Sequence, residues 1–189
     1  MTENKFLETY LEKFIKLVEF QKKNIEKLLM VKNILVQQNQ NNKKAIIFGN
    51  GGSAAIASHF SVDLTKNAKI KCTNYNESDL ITCFSNDYGY ENWMSKSVEF
   101  YGEEGDVLIL VSSSGESLNI LNAANAARRQ KFSKIITFSG HNKNNSLAKI
   151  GDINFWVDSK AYNLIENVHQ FLLLSVIDLI IGKSEYPPN

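Results

Sequence analysis

The chain has 189 residues, of which 43% are hydrophobic and 22% are charged, and this is the composition of an ordinary globular protein. Its 21 basic and 20 acidic residues leave a formal charge of +1, so the charge balance gives no reason to expect nucleic acid or an anionic membrane as a partner. The length allows a substantial core, and we expect a single domain over residues 1–189.

The cysteines and the most apolar run of the sequence indicate where in the cell the protein is expected. Cys72 and Cys83 do not have the spacing of a metal site, and no signal-peptide pattern opens the chain. We therefore expect reduced thiols and a cytoplasmic protein. The run Phe171–Ile181 contains Ser175 and Asp178 and is too short to span a bilayer, so we expect no membrane anchor.

The N-terminal segment has a strong helical pattern. Apolar residues recur every three or four positions from about Asn4 to Gln38, and neither glycine nor proline interrupts them. This predicts a long helix within an N-terminal helical arm, residues 1–40, ahead of an α/β core over residues 41–189. Two surfaces for such a helix stay open, namely a partner subunit and the sheet of its own chain.

A strand, a glycine-rich turn and a helix follow one another directly. Ala45–Phe48 is a short apolar run typical of a buried parallel strand, and Gly49–Ser53 follows it. Glycines let a ligand approach the backbone, and the N–H groups that open a helix favour an anion. On the predicted helix His59 and Asp63 are four residues apart and therefore share one face. They are either part of a site or a plain hydrogen-bonded pair.

Short apolar runs alternate with helical segments through the rest of the chain. The further predicted strands are Ala68–Cys72, Val107–Val111, Lys134–Phe138 and Ile153–Val157. The predicted helices after the first strand's helix are Ser78–Phe84, an aromatic segment near residues 93–101, Leu118–Gln130, Ser146–Ile150 and Asn163–Gly182, with a polar turn at Ser85–Tyr90. This alternation predicts a doubly wound α/β domain with a five-stranded, mostly parallel sheet.

A serine-rich turn follows the strand at residues 107–111. Its four hydroxyls, a permissive Gly115 and the start of a helix are suited to a phosphate monoester bound without a cation. Those hydroxyls belong to Ser112, Ser113, Ser114 and Ser117. A serine-rich helix cap is the structural alternative. The Gly49–Ser53 turn lacks both the dinucleotide fingerprint and the Walker lysine, so we expect no nucleotide cofactor.

The segments GNGGSAAIASHFSVDLT, SNDYGYE and SSSGES resemble the sugar isomerase (SIS) family of phosphosugar-binding domains over essentially the whole chain. Within that family the pattern is most similar to the sedoheptulose 7-phosphate (phosphoheptose) isomerases. The resemblance implies a flavodoxin-like fold and a homotetramer with active sites between subunits. It also implies conversion of a 2-ketose 7-phosphate to the aldose 7-phosphate through an enediol, for heptose of bacterial lipopolysaccharide or capsule.

The resemblance also assigns roles to particular positions. The residues that match the family's phosphate contacts are Ser53, Ser112, Ser113, Ser114 and Ser117, and those that match its glycine turn and substrate loops are Asn50, Gly51, Gly52 and Asp87. His59 matches a metal ligand of the family.

Four positions depart from the family pattern. Asp63 stands where the family has a catalytic glutamate, Glu166 where it has a glutamine, Asn163 where it has an aspartate, and Leu174 where it has a second catalytic histidine that also binds metal. Leucine can neither transfer a proton nor coordinate zinc.

We therefore expect Asp63 to be the base nearest the sugar carbons and Glu166 to be a second acid/base, with His59 beside them. His59, Asp63 and Glu166 are also the candidate ligands of a zinc ion. His169, on the same predicted helix as Glu166, is expected to be structural.

A non-catalytic protein is the alternative to the enzyme. The family includes a replication initiator-associating protein that resembles the isomerases and lacks some of the same catalytic groups. Leu174 favours this phosphosugar-binding or scaffold function, whereas a retained carboxylate at Asp63 favours the enzyme.

Overall fold

The computed structural model describes residues 1–187. The strands are β1 (Ala45–Gly49), β2 (Cys72–Thr73), β3 (Val107–Ser112), β4 (Lys134–Ser139) and β5 (Ile153–Trp156). The helices are α1 (Glu3–Phe20), α2 (Ile25–Gln40), α3 (Gly52–Lys66), α4 (Ser78–Tyr88), α5 (Trp93–Tyr101), α6 (Leu118–Arg129), α7 (Ser146–Ile150) and α8 (Tyr162–Ile181).

The five strands form one sheet in the order β2-β1-β3-β4-β5, and all four pairings are parallel. This is the flavodoxin-like strand order, so the prediction of a doubly wound α/β domain is confirmed. The order reverses between β1 and β3, where Gly49 pairs with Val111. The turns that follow these two strands therefore open into the same crevice.

Side chains of the strands alternate between the two faces of the sheet and build a core on each. Ile47 lies in one core with residues of α2, α3 and α8, whereas Ile46 and Phe48 lie in the other with residues of α5 and α6. The serine turn and the glycine turn are thus carried by buried strands with helices on both sides. Such a scaffold holds the ends of β1 and β3 rigidly.

The N-terminal arm is broken where one helix was predicted. A 3₁₀ turn at Gln21–Asn24 separates α1 from α2, and inside it Asn24 Nδ2 donates to Gln21 Oε1 at 2.7 Å. Helix α2 packs on the core of its own chain through Val31 and Leu35, whereas α1 has no buried residue.

Two other predicted elements have different bounds. The strand predicted at residues 68–72 is wrong, because Lys69 has a φ of 59° and the strand that forms is only Cys72–Thr73. The turn predicted from Ser85 is helical up to Tyr88, and Gly89 ends that helix with a φ of 86°. Both cysteines are free thiols, as expected.

Helix α8 begins and ends one residue before the bounds predicted for it. Among the described residues it is the one helix that is long and apolar enough to cross a membrane by length and composition alone. Its side chains Val168, Leu172 and Val176 are buried in the protein core, however, and the helix lies against α2 and α3. Burial in the core accounts for its apolar composition.

Candidate functional site

The two turns at the carboxyl ends of β1 and β3 enclose a cavity of about 140 Å³. All five serines predicted to contact phosphate line it, namely Ser53, Ser112, Ser113, Ser114 and Ser117. Asn50, Tyr162 and Glu166 complete its wall. The structure therefore brings the predicted phosphate residues together at the N-termini of α3 and α6. We refer to this space as the serine cavity.

Backbone N–H groups within the serine turn donate hydrogen bonds to the serine hydroxyls of the same turn. Gly115 has a φ of 69°, and its N–H donates to Ser112 Oγ at 3.2 Å. The Glu116 N–H donates to Ser114 Oγ at 3.2 Å. Ser113 Oγ is buried and has no hydrogen-bond partner among residues 1–187. A phosphate oxygen in the serine cavity would give that hydroxyl the partner it lacks.

Glu116 is an acidic residue within the phosphate turn, but its carboxylate points to the start of α7. Glu116 Oε1 accepts the backbone N–H of Ser146 at 2.9 Å. The hydrogen bonds from Ser146 lower the pKa of Glu116 below its usual value. The negative charge is thus fixed at a helix N-terminus, where it is favourable.

Asn50 is positioned by a residue that sequence reasoning missed. Asn50 Nδ2 donates to Asn119 Oδ1 at 3.0 Å, and Asn119 Nδ2 donates back to Asn50 Oδ1 at 2.9 Å. The Tyr90 hydroxyl also donates to Asn50 Oδ1, at 3.1 Å. Asn119 is buried in the first turn of α6, and a polar residue on the apolar face of a helix is the signal that could have found it.

Glu166 lies where the serine cavity meets a second cavity. The second cavity has a volume of about 340 Å³ and is lined by Gly52, His59, Glu166, Asn167 and Gln170, among others. The Glu166 carboxylate lies so close to Gly52 that a Cβ at that position would overlap it. Burial raises the pKa of Glu166 above its usual value. We refer to the second cavity as the His59 cavity.

His59 has a hydrogen-bond partner at each ring nitrogen. Nε2 lies 3.2 Å from Asp63 Oδ2, and Nδ1 lies 3.1 Å from Gln170 Nε2. An ionised carboxylate can only accept and an amide nitrogen can only donate, so the neutral ring carries its proton on Nε2 and accepts at Nδ1. Gln170, which the sequence analysis did not single out, therefore favours the same tautomer of His59 as Asp63 does.

The three candidate zinc ligands do not fit a metal ion in this arrangement. No group of three His, Cys, Asp or Glu side chains within residues 1–187 has the placement to hold one. With Nε2 protonated toward Asp63 and Nδ1 accepting from Gln170, neutral His59 has no free lone pair. At the position of the family's second histidine, Leu174 packs against the core.

Asp87 is not brought to either cavity. It lies in the last turn of α4 with its side chain exposed, where Oδ1 accepts from Asn86 Nδ2 at 2.9 Å. Asn163 is exposed in the first turn of α8, and its backbone carbonyl accepts from the Asn167 side chain.

His169 has a structural environment. It is fully buried, and Nε2 lies 3.1 Å from the Ser139 carbonyl. Burial lowers the pKa of His169 to about 4, so the ring is neutral at physiological pH.

The fold and the serine cavity define a class of protein, an α/β domain with an anion cradle at the switch point of its sheet. Comparison with known proteins gives the family. The SIS-domain family model matches residues 8–140. The chain is 36% identical to a phosphoheptose isomerase of Proteus mirabilis over 168 residues, or 86% of each chain. It is 32% identical to that of Fusobacterium nucleatum over 185 residues, or 95% of this chain and 91% of the relative.

A solved structure gives the same result. The chain superposes on a phosphoheptose isomerase from Neisseria gonorrhoeae with a TM-score of 0.89 and 26% identity, which covers 96% of this chain and 100% of that one. The chain belongs to the SIS-domain family, and the predicted resemblance is confirmed.

Proposed function

We propose that this chain is an aldose–ketose isomerase of sugar phosphates, and that its substrate is sedoheptulose 7-phosphate or a closely related ketose phosphate. The observation that carries the proposal is the junction of the serine cavity with the His59 cavity at Glu166. A phosphate in the first would place the carbon chain of the sugar along Gly52 into the second. Relatives named phosphoheptose isomerase support the heptose assignment. Supply of heptose to lipopolysaccharide or capsule, from the cytoplasm, is part of the same proposal.

Phosphate binding would rest on neutral donors. The serine hydroxyls and the N–H groups at the start of α6 offer hydrogen bonds, and the positive end of the helix dipole favours the dianion. Ser113 Oγ contributes a donor that has no partner among the described residues 1–187. These contacts fix one end of the sugar and leave its carbonyl end beside Glu166.

We assign Glu166 as the base, which reverses the order expected from sequence, where Asp63 was placed nearest the sugar carbons. Glu166 lines both cavities, whereas Asp63 lies one turn beyond His59 on α3 and is hydrogen-bonded to it. The raised pKa of Glu166 brings its carboxyl group closer to neutral pH, which suits a group that must both take and return a proton. In the ketose-to-aldose direction it would take the proton from the first carbon and return it to the second.

The enediol also needs a proton to move between its two oxygens. His59 is the candidate, because its Nδ1 meets the Gln170 amide at the wall of the His59 cavity. A sugar hydroxyl that displaced this amide would meet a basic nitrogen, while Asp63 holds the opposite side of the ring. Asp63 and Gln170 thus serve as positioning residues. No step of this scheme uses a metal.

A non-catalytic phosphosugar-binding or scaffold protein is the second candidate. Leu174 favours it, because an aliphatic side chain packs where the family pattern has a second catalytic histidine. The Glu166 carboxylate, which stands where the family has a glutamine, and the His59–Asp63 pair favour the enzyme.

We propose further that the chain acts as a homo-oligomer, with four copies as the expected number. Helix α1 exposes a row of large apolar side chains, and Phe6, Leu7, Leu11 and Ile15 are each between 51% and 59% exposed. Such a face is typical of an interface with another chain. Analytical ultracentrifugation tests this: we expect an assembly that Leu11→Glu dissociates, and a monomeric wild type would contradict it.

The activity is tested by direct conversion. We expect the purified protein to convert sedoheptulose 7-phosphate to an aldose 7-phosphate, and Glu166→Gln to abolish conversion while phosphosugar binding by calorimetry persists. Asn167→Ala, a neighbour on α8 that also lines the His59 cavity, is the matched control and should retain most of the activity. Binding without conversion for every ketose phosphate tried would leave the non-catalytic candidate.

A further inference from the structure

A third cavity lies at the amino ends of the strands, opposite the two cavities described above. It has a volume of about 340 Å³ and lies between the end of α2 and the amino ends of β3 and β4. Gln38, Asn41, Lys43, Ser133 and Lys134 are among its lining residues. We refer to it as the Gln38 cleft. The serine cavity is at the carboxyl ends of the strands, so the two spaces share no residue.

Gln38 is the unusual residue in this cleft. Its side chain is only 4% exposed, and neither Oε1 nor Nε2 has a hydrogen-bond partner among residues 1–187. A buried amide without partners is unfavourable, because each of its groups has given up hydrogen bonds to water without replacing them. The backbone carbonyl of Gln38, by contrast, is satisfied, since it accepts the Lys43 N–H at 2.9 Å. Only the side-chain amide of Gln38 thus lacks hydrogen bonds.

The two atoms of the amide define what could satisfy them. Nε2 needs an acceptor and Oε1 needs a donor, so a group such as a hydroxyl, which can do both, meets the need. An anion that can only accept would satisfy Nε2 but leave Oε1 without a donor. The volume of the cleft corresponds to about eleven waters at ~30 Å³ each, which is room for a small organic molecule.

The charges of the lining favour an anion. Lys43 and Lys134 contribute two ammonium groups, and no carboxylate is among the described residues that line the cleft. Lys43 Nζ lies 3.2 Å from Oε2 of Glu103, a residue that does not line the cleft. Lys134 is exposed at the start of β4 and remains available to a ligand.

We propose that the Gln38 cleft is a second ligand site, separate from the serine cavity, that binds a small hydroxylated anion. A rotation of the Gln38 side chain would bring its buried amide to the hydroxyl, and the anionic group would meet Lys134 and Lys43. A phosphorylated and a carboxylated polyol share this chemistry. The proposal does not depend on the reaction assigned to the serine cavity.

Calorimetry with four probes tests the site in the full-length chain. A Ser114→Asp background puts a carboxylate into the serine cavity, so that phosphate binding there is suppressed. In that background we expect saturable binding of glycerol phosphate or glycerate, which distinguishes the two sources of the anion. Sulfate lacks the donor and glycerol lacks the charge, so both should bind at least tenfold more weakly.

Variants of the cleft complete the test. We expect Gln38→Leu and Lys134→Glu each to weaken binding at least tenfold, and Gln40→Leu, an exposed change on the same helix, to leave it unaltered. Gln38→Leu should also raise the urea midpoint of the ligand-free protein, because it removes the unpaired amide. Absence of saturable binding by all four probes would overturn the proposal. So would equal binding by Lys134→Glu and wild type, or a crystal structure grown with the probe in which ordered water alone meets the Gln38 amide.

Discussion

The contact between Gly52 and Glu166 can be perturbed with very little change to the fold. Gly52 is the first residue of α3 and has no positive φ, so alanine fits its backbone. Alanine is a better helix former than glycine by up to about 1 kcal/mol. A Cβ at this position, however, would overlap the Glu166 carboxylate. Because that carboxylate is at the end of a flexible side chain, it can move aside at little cost to folding.

We therefore expect Gly52→Ala to separate stability from activity. The free energy of unfolding should stay within about 1 kcal/mol of wild type, or rise. The catalytic carboxylate would be displaced by about an ångström, which can cost on the order of 100-fold in rate. A 100-fold loss corresponds to about 2.7 kcal/mol of activation free energy. Urea unfolding and the rate of ketose-to-aldose conversion measure the two quantities.

The Glu166→Ala background is the matched control for this change. Conversion is already lost in that background, so the readout there is the affinity for a sugar phosphate by calorimetry. Without the carboxylate there is nothing for the new Cβ to displace, so Gly52→Ala should leave that affinity unchanged. A weaker affinity there would show that Gly52→Ala acts elsewhere. Wild-type activity in the single variant would refute the role assigned to Glu166.

Three further predictions concern the phosphate, the carboxyl group and the imidazole. Ser113→Ala should weaken binding of a sugar phosphate about 10- to 100-fold by calorimetry, because a hydrogen bond to a charged group is worth about 1.5–3 kcal/mol, while an unchanged affinity would exclude Ser113 from the site. Since burial raises the pKa of Glu166, its contribution to stability is fully present below the ordinary glutamate pKa of about 4.3 and is lost as the pH rises through the raised value. Glu166→Gln should therefore gain stability relative to wild type as the pH rises above about 4.3, and urea midpoints of the two proteins that stay parallel there would contradict this. The chain has 3 histidines, so ¹⁵N spectra of histidine-labelled protein should resolve the His59 ring as the Nε2–H tautomer that Asp63 and Gln170 both favour, and a ring that carries its proton on Nδ1 would contradict these two hydrogen bonds.

Much of the fold follows from the sequence because strand residues are buried on both faces. The runs at residues 45–48 and 107–111 are continuously apolar, as is typical of central parallel strands, and the turns after them are rich in glycine and serine. The same turns predicted the serine cavity. Edge strand β2 escaped prediction because it is only Cys72–Thr73, too short to have a period.

The contacts that decide the chemistry connect distant parts of the chain. Gln170 meets His59 across 111 positions, and Asn119 meets Asn50 across 69. Neither glutamine nor asparagine has a spacing rule that would predict these pairs. The base that we propose differs from the one expected from sequence for a related reason, because helical spacing places Asp63 beside His59 but does not say which of them borders the cavity.

Hydrogen exchange at the sugar carbons tests the central claim most directly. Sedoheptulose 7-phosphate and a panel of other ketose phosphates are incubated with the protein in deuterated water, and deuterium entry beside the carbonyl is followed by NMR. An enediol intermediate labels the substrate even when little product accumulates. We predict labelling by the wild type that is lost in Glu166→Ala and reduced in Asp63→Ala. Saturable binding of a sugar phosphate without labelling of any of them, or labelling that persists in Glu166→Ala, would contradict this account.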